Sequence, residues 1–145
     1  MIPKNLHGLV SKNKLGKAER SNPTAAQEAM QKLGISEKSE FYEFCISYCL
    51  NSLLSPLAEA QLVDVCDPTE EVAAGTAFAN EVWELPKEYI CFTSCQGEGG
   101  FLYSKCTHAV YDFSLSERKE FLASPKPTWP SFYKFIEWYL SPSAL

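Results

Sequence analysis

Four residues of the chain have the types and spacing that could hold zinc: Cys91 and Cys95 lie close together, and Cys106 and His108 follow after a short interval. Zinc takes four such soft ligands, commonly as two pairs brought together by turns. Two features argue against it. Cys91 sits inside the run Tyr-Ile-Cys-Phe-Thr, which reads as a strand, and the Cys106-Thr-His108 spacing is too tight for the usual paired-ligand turn. The same region could supply a thiol nucleophile, Cys95 or Cys106, with His108 as base and Asp112 as orienter. Neither cysteine stands in a nucleophile elbow or at a helix start that would favour its thiolate. The sequence Gln96-Gly97-Glu98-Gly99-Gly100 resembles a phosphate-cradling loop but lacks the Lys and Ser/Thr that would complete one. Glu98 at its centre would repel phosphate, so a hairpin turn using glycine at positive φ is the better reading. The residues thus lead to no catalytic site, no metal site and no cofactor, and the expected role is not that of an enzyme.

The elements that position these residues follow from periodicity and turn chemistry. With 145 residues, 46% of them apolar, the chain can bury one core without a metal or disulfide staple. Residues 1–20 show no sustained apolar period and read as a basic arm, loosely ordered or a short irregular helix. Residues 21–145 read as one domain. Asn22-Pro23 opens a helix, Asn as cap and Pro at the first helical position, and Gly34 closes it. A second helix over about 37–51 places Phe41, Phe44, Cys45, Tyr48 and Cys49 on one stripe, with Glu40, Glu43 and Ser47 on the solvent side. Residues 61–66 read as a strand with Val63 and Val65 inward and Asp64 in water. Asp67-Pro68 starts another helix, to about Asn80.

Three short runs then form a meander, 89–94, 100–104 and 109–113, separated by glycine-rich and polar turns. A final helix over about 129–140 is aromatic around almost its whole circumference, so it must be largely buried, with Trp138 or Tyr139 the residues nearest the surface. The expected architecture is α+β: a single-layer, mainly antiparallel sheet with a central meander, covered by N-terminal and C-terminal helices.

Charge is unevenly distributed. Lys4, Lys12, Lys14, Lys17 and Arg20 face Glu19 alone in the first twenty residues, whereas nine acids between Glu59 and Glu98 face only Lys87. Such a middle section disfavours direct nucleic-acid binding, which needs Lys and Arg. It suits a basic protein partner instead. No apolar run approaches the ~18 residues that cross a bilayer, and the start lacks the apolar stretch of a signal peptide. The expectation is a cytoplasmic protein that does not engage membranes. Its six cysteines are then reduced and read as small buried hydrophobes.

The order of segments is itself informative. The helices carrying AMQKLG (29–34) and SEFYEFCISY (39–48) come first, followed by VWELPKEYICFTS (82–94). GEGGFLYSKCTHAVYDF (97–113) and TWPSFYKFIEWYL (128–140) complete the set. Together and in this order they resemble the SUKH superfamily. That resemblance implies binding without catalysis, chiefly by bacterial immunity proteins that neutralise a cognate polymorphic toxin domain, often a nuclease or nucleic-acid-modifying toxin. Other relatives are yeast regulators of cell-wall synthesis, so a scaffold or regulatory domain with an endogenous partner is the alternative. For the immunity role, the contact residues expected on the acidic section are Asp67, Glu70, Glu71, Glu81, Glu84 and Glu98, with Tyr103 and Tyr111 as aromatic anchors.

Overall fold

The computed structural model describes residues 1–13, 18–56, 58, 61–66, 77, 79–93 and 98–141. Residues 94–97, which include Cys95 and the first half of the glycine-rich sequence, lie outside this set, as does most of the helix expected after Asp67. Helices α1 (Lys4–Ser11), α2 (Pro23–Lys32) and α3 (Glu40–Ser47) precede strands β1 (Tyr89–Cys91), β2 (Gly99–Ser104) and β3 (Val110–Ser114); α4 (Arg118–Ala123) and α5 (Phe132–Leu140) follow. The strands form one antiparallel sheet in the order β1-β2-β3, with Cys91 opposite Leu102 and Leu102 opposite Tyr111. This is the α+β fold with a small meander sheet that the sequence implies.

The strand sequences explain why this sheet is buried on both faces. Each is an almost unbroken apolar run rather than an alternation of apolar and polar residues, the signature of a sheet covered on both sides. Successive side chains point to opposite faces. Ile90, Phe92, Phe101, Tyr103 and Val110 join the main core with residues of α1, α2, α3 and α5. Tyr89, Cys91, Leu102, Tyr111 and Phe113 form a second core with Ala79, Trp83 and Leu85. Gly99 and Gly100 lie within β2, not in a positive-φ turn. They are there for close approach: a Cβ on Gly100 would stand 2.5 Å from Thr93 Oγ1, and one on Gly99 would strike the Phe113 carbonyl.

Local signals set the helix ends. Asn22 Oδ1 accepts the Ala25 N–H with Pro23 in the first turn, and Gly34 takes φ +76° just past the end of α2. Ser39 caps α3, accepting the Tyr42 N–H at 3.1 Å. The expected first strand, 61–66, is reduced to a single bridge, Leu62 to Thr93, with the Val63 N–H donating to Phe92 O at 2.8 Å.

The described residues among the first twenty contribute to the core. Ile2, Leu6, Val10 and Ala18 enter the main core, α1 packs on α5, and Glu19 bridges to Tyr48. Arg20 goes inward. Its guanidinium donates to both carboxylate oxygens of Asp64, at 2.8 and 3.1 Å, and to the Cys45 and Tyr48 carbonyls. Asp64 is therefore buried, the reverse of its expected exposure, because a partner far away in sequence neutralises it. Burial opposes the Arg20 charge, but the Asp64 hydrogen bonds and attraction outweigh it and hold the Arg20 pKa above its ordinary value.

Glu40 and Glu43 also depart from the solvated face expected of them. The Glu40 carboxylate accepts the Tyr133 N–H at 2.9 Å in the first turn of α5, and the Tyr133 hydroxyl donates to Glu43. With Ser131 capping the Lys134 N–H, two of the free donors at the α5 start are satisfied. Glu40→Ala should lower stability by about 1–2 kcal/mol, the range of a lost helix cap, measured by urea unfolding. Glu40→Gln, which keeps an acceptor oxygen, should lose less.

Candidate binding face

The outer edge of β3 is where carboxylates gather. Asp112 lies on this edge strand, whose chain then turns through a short helical turn, Leu115–Glu117, into α4. α4 is short and exposed, yet three contacts fix it. The Phe121 ring packs edge-on against Tyr111 and Phe113 and tilts against Tyr89, at centroid distances of 5.6, 5.3 and 5.2 Å. Arg118 Nε donates to Trp83 O at 2.6 Å, and its Nη2 reaches Glu84 Oε2 at 3.3 Å. Leu115 N–H donates to Glu98 O at 2.6 Å. These bonds bring the 81–84 turn, the start of β2 and α4 to one side of the molecule.

Between β3 and α4 lies a cleft of about 400 Å³ with Asp112, Glu117 and Glu120 on its walls and Phe113 and Phe121 among its apolar lining. Burial and then the neighbouring Glu117 push the Asp112 carboxyl above its ordinary range. Lys126 lines the same cleft, and Lys119 is exposed on α4. Exposed Val82, Leu115 and Leu122 add apolar surface on these same segments. The arrangement can attract and seat cationic side chains against an apolar floor.

The expected contact residues divide into three groups. Asp67, Glu70 and Glu71 lie outside the described residues. Glu81, Glu84 and Glu98 are exposed, and the bonds of Arg118 and Leu115 bring Glu84 and Glu98 towards the Asp112 side. Tyr103 and Tyr111 are corrected from surface anchors to core residues, 1% and 2% exposed. Alternation sends them to opposite faces, and both faces are covered. Their hydroxyls are used internally, Tyr103 with His108 Nδ1 at 2.9 Å and Tyr111 with Thr107 Oγ1 at 3.0 Å. Sequence reading missed Glu117 and Glu120 because α4 has only six residues, too few to establish a period.

Of the described residues weighed for catalysis, His108 and Asp112 line different pockets. Cys91 is buried and Cys106 is exposed, against the expectation that every thiol is buried; Cys49 is half-buried. His108, at φ +62°, lines a separate pocket beside Ser39 and Glu40 and bonds Tyr103, while Asp112 lines the β3 cleft. Among the described residues, no group of three or more His, Cys, Asp and Glu side chains is arranged to hold a metal ion. No described helix is long and apolar enough to cross a membrane. No protein-family model matches the chain, and no curated protein matches it.

Proposed function

We propose that the chain is a non-catalytic immunity protein of the bacterial cytoplasm that binds a cognate polymorphic toxin domain with a basic surface, such as a nuclease or nucleic-acid-modifying toxin. The observation that carries the proposal is the carboxylate-lined edge of β3, where Asp112, Glu117 and Glu120 share one cleft. Glu84 and Glu98 are drawn to the same side. The segment order resembling the SUKH superfamily supports the same reading. An acidic face speeds encounter with a basic toxin and competes with nucleic acid for the toxin's substrate surface. Inhibition is then stoichiometric and needs no chemistry from the inhibitor.

The test is co-expression with toxin domains encoded beside the gene. A one-to-one complex and restored growth are expected. Glu98→Lys combined with Glu117→Lys should slow association about tenfold at low salt, a difference that shrinks as added salt screens the charges. Failure to bind or protect against any adjacent toxin domain would transfer the proposal to an endogenous regulatory partner.

A further inference from the structure

The outer edge of β3 has a second property besides its charge. In an antiparallel pair, residues that bond the neighbouring strand alternate with residues whose N–H and C=O point away from it. Leu115 N–H donates to Glu98 O and Ser104 N–H to Ala109 O, so Tyr111, Phe113 and Leu115 bond towards β2. Val110, Asp112 and Ser114 therefore turn their backbone groups outward. The returning chain covers part of this row. Val110 N–H donates to Trp129 O, and its carbonyl accepts the Thr128 and Trp129 N–H groups. Thr128 Oγ1 accepts the Asp112 N–H at 2.9 Å. The Ser114 carbonyl opens the turn Leu115–Glu117 and accepts its first bond. Two groups remain: among the described residues, none bonds the Asp112 carbonyl or the Ser114 N–H. Both flank Phe113 on the wall of the β3 cleft. An acceptor on one residue and a donor two residues later is what a single residue of a parallel strand engages with its own N–H and C=O. An antiparallel strand would need both groups of one residue, and neither Asp112 nor Ser114 has both free.

We infer that an extended segment of a protein partner, bearing Arg or Lys, adds to this edge as a short parallel strand. One of its residues donates its N–H to the Asp112 carbonyl and accepts the Ser114 N–H. That residue lies opposite Phe113, so its side chain leaves on the Phe113 face of the sheet. Phe121 packs on Phe113 at 5.3 Å, which puts α4 on that face, and Glu117 and Glu120 line the cleft there. A guanidinium or ammonium at this position is seated between carboxylates, with the rings of Phe113 and Phe121 beside its stem. Charge selects the occupant. Asp112, Glu117 and Glu120 line the cleft against Lys126 alone, so a basic segment is drawn in and an acidic one repelled. Residues 122–128, on the solvent side, are all exposed, which leaves the edge accessible. The inference rests on the reading that this face meets a basic protein, and adds how that protein is held.

The experiment titrates the isotope-labelled full chain with a short acetylated and amidated peptide of alternating Arg and Val, and follows amide resonances and hydrogen exchange by NMR. The resonances of Asp112, Phe113 and Ser114 should shift, and exchange of the Ser114 amide should slow about tenfold at saturation as it gains an acceptor. The same peptide N-methylated at each Arg keeps its charge but loses the N–H, and should bind about tenfold more weakly. Glu117→Lys with Glu120→Lys, both at exposed positions, should weaken the unmodified peptide by a similar factor, about tenfold, at low salt. A peptide with Glu in place of Arg should not bind. Equal binding of the N-methylated peptide, an unprotected Ser114 amide at saturation, shifts confined to the pocket beside His108, or no binding at millimolar peptide would overturn the inference. A toxin domain that is bound and neutralised while the Ser114 amide stays unprotected would also overturn it and leave the proposed function standing. Peptide pairing at Ser114 without protection against any adjacent toxin domain would do the reverse.

Discussion

Replacing Arg20 by Met should cost about 3–5 kcal/mol, a large share of the 5–15 kcal/mol that holds a typical domain together. The loss is not the attraction of one ion pair alone. Both side chains are nearly inaccessible, at 9% and 7%, so removing the guanidinium leaves the Asp64 carboxylate buried without a cation. The Cys45 and Tyr48 carbonyls lose their donors in the same step. Arg20→Met with Asp64→Leu should recover part of the loss, since an apolar pair no longer strands a charge. It should not recover all of it, because the carbonyls stay unpaired. Urea unfolding of the two single variants and the double variant gives the coupling; a cost below about 1 kcal/mol for Arg20→Met would place this pair among solvated ones.

Phe132→Ala should cost a similar amount, about 3–5 kcal/mol. Phe132 is fully buried at the start of α5, and its ring lies 4.7 Å from Phe41, 5.7 Å from Phe44 and 6.0 Å from Phe92, centroid to centroid. Removing it opens a cavity where α3, α5 and the sheet meet, and rings this close cannot collapse to fill it. Phe121→Ala in α4 provides the comparison. Phe121 is half-buried, so its loss should cost clearly less and should disturb the β3 cleft more than the main core. Equal costs for the two variants would contradict the division of the interior into a main and a lesser core.

The meander was legible in the sequence because its apolar runs are short, separated by turn residues and too close together for crossover helices. Asn22-Pro23 and Gly34 were equally readable, since the physics of a helix end is local. Asp64 was not. Its neighbours Val63 and Val65 suggest alternation, but its true direction is set by Arg20, which no local pattern reveals. Tyr103 and Tyr111 failed for a related reason: alternation states that they face opposite ways, not that Trp83 and Phe121 cover the second face. Glu40 reads as a solvent-side residue on its own helix and becomes a cap only once α5 arrives beside it. For the proposed binding side, charge counting singles out Glu81, Glu84 and Glu98, whereas Glu117 and Glu120 join the candidates only through the placement of the short α4.

The joining of α1, α3 and α5 in one interior has a consequence for how the protein breathes. Amides in α5 can meet solvent only when contacts spanning almost the entire chain are released together, so their hydrogen exchange should require global unfolding. No residue of α4 is buried, and that helix can open by itself. The surface proposed to meet the partner therefore rests on an element whose amides should exchange by local opening, while those of the scaffold beneath it should wait for global unfolding.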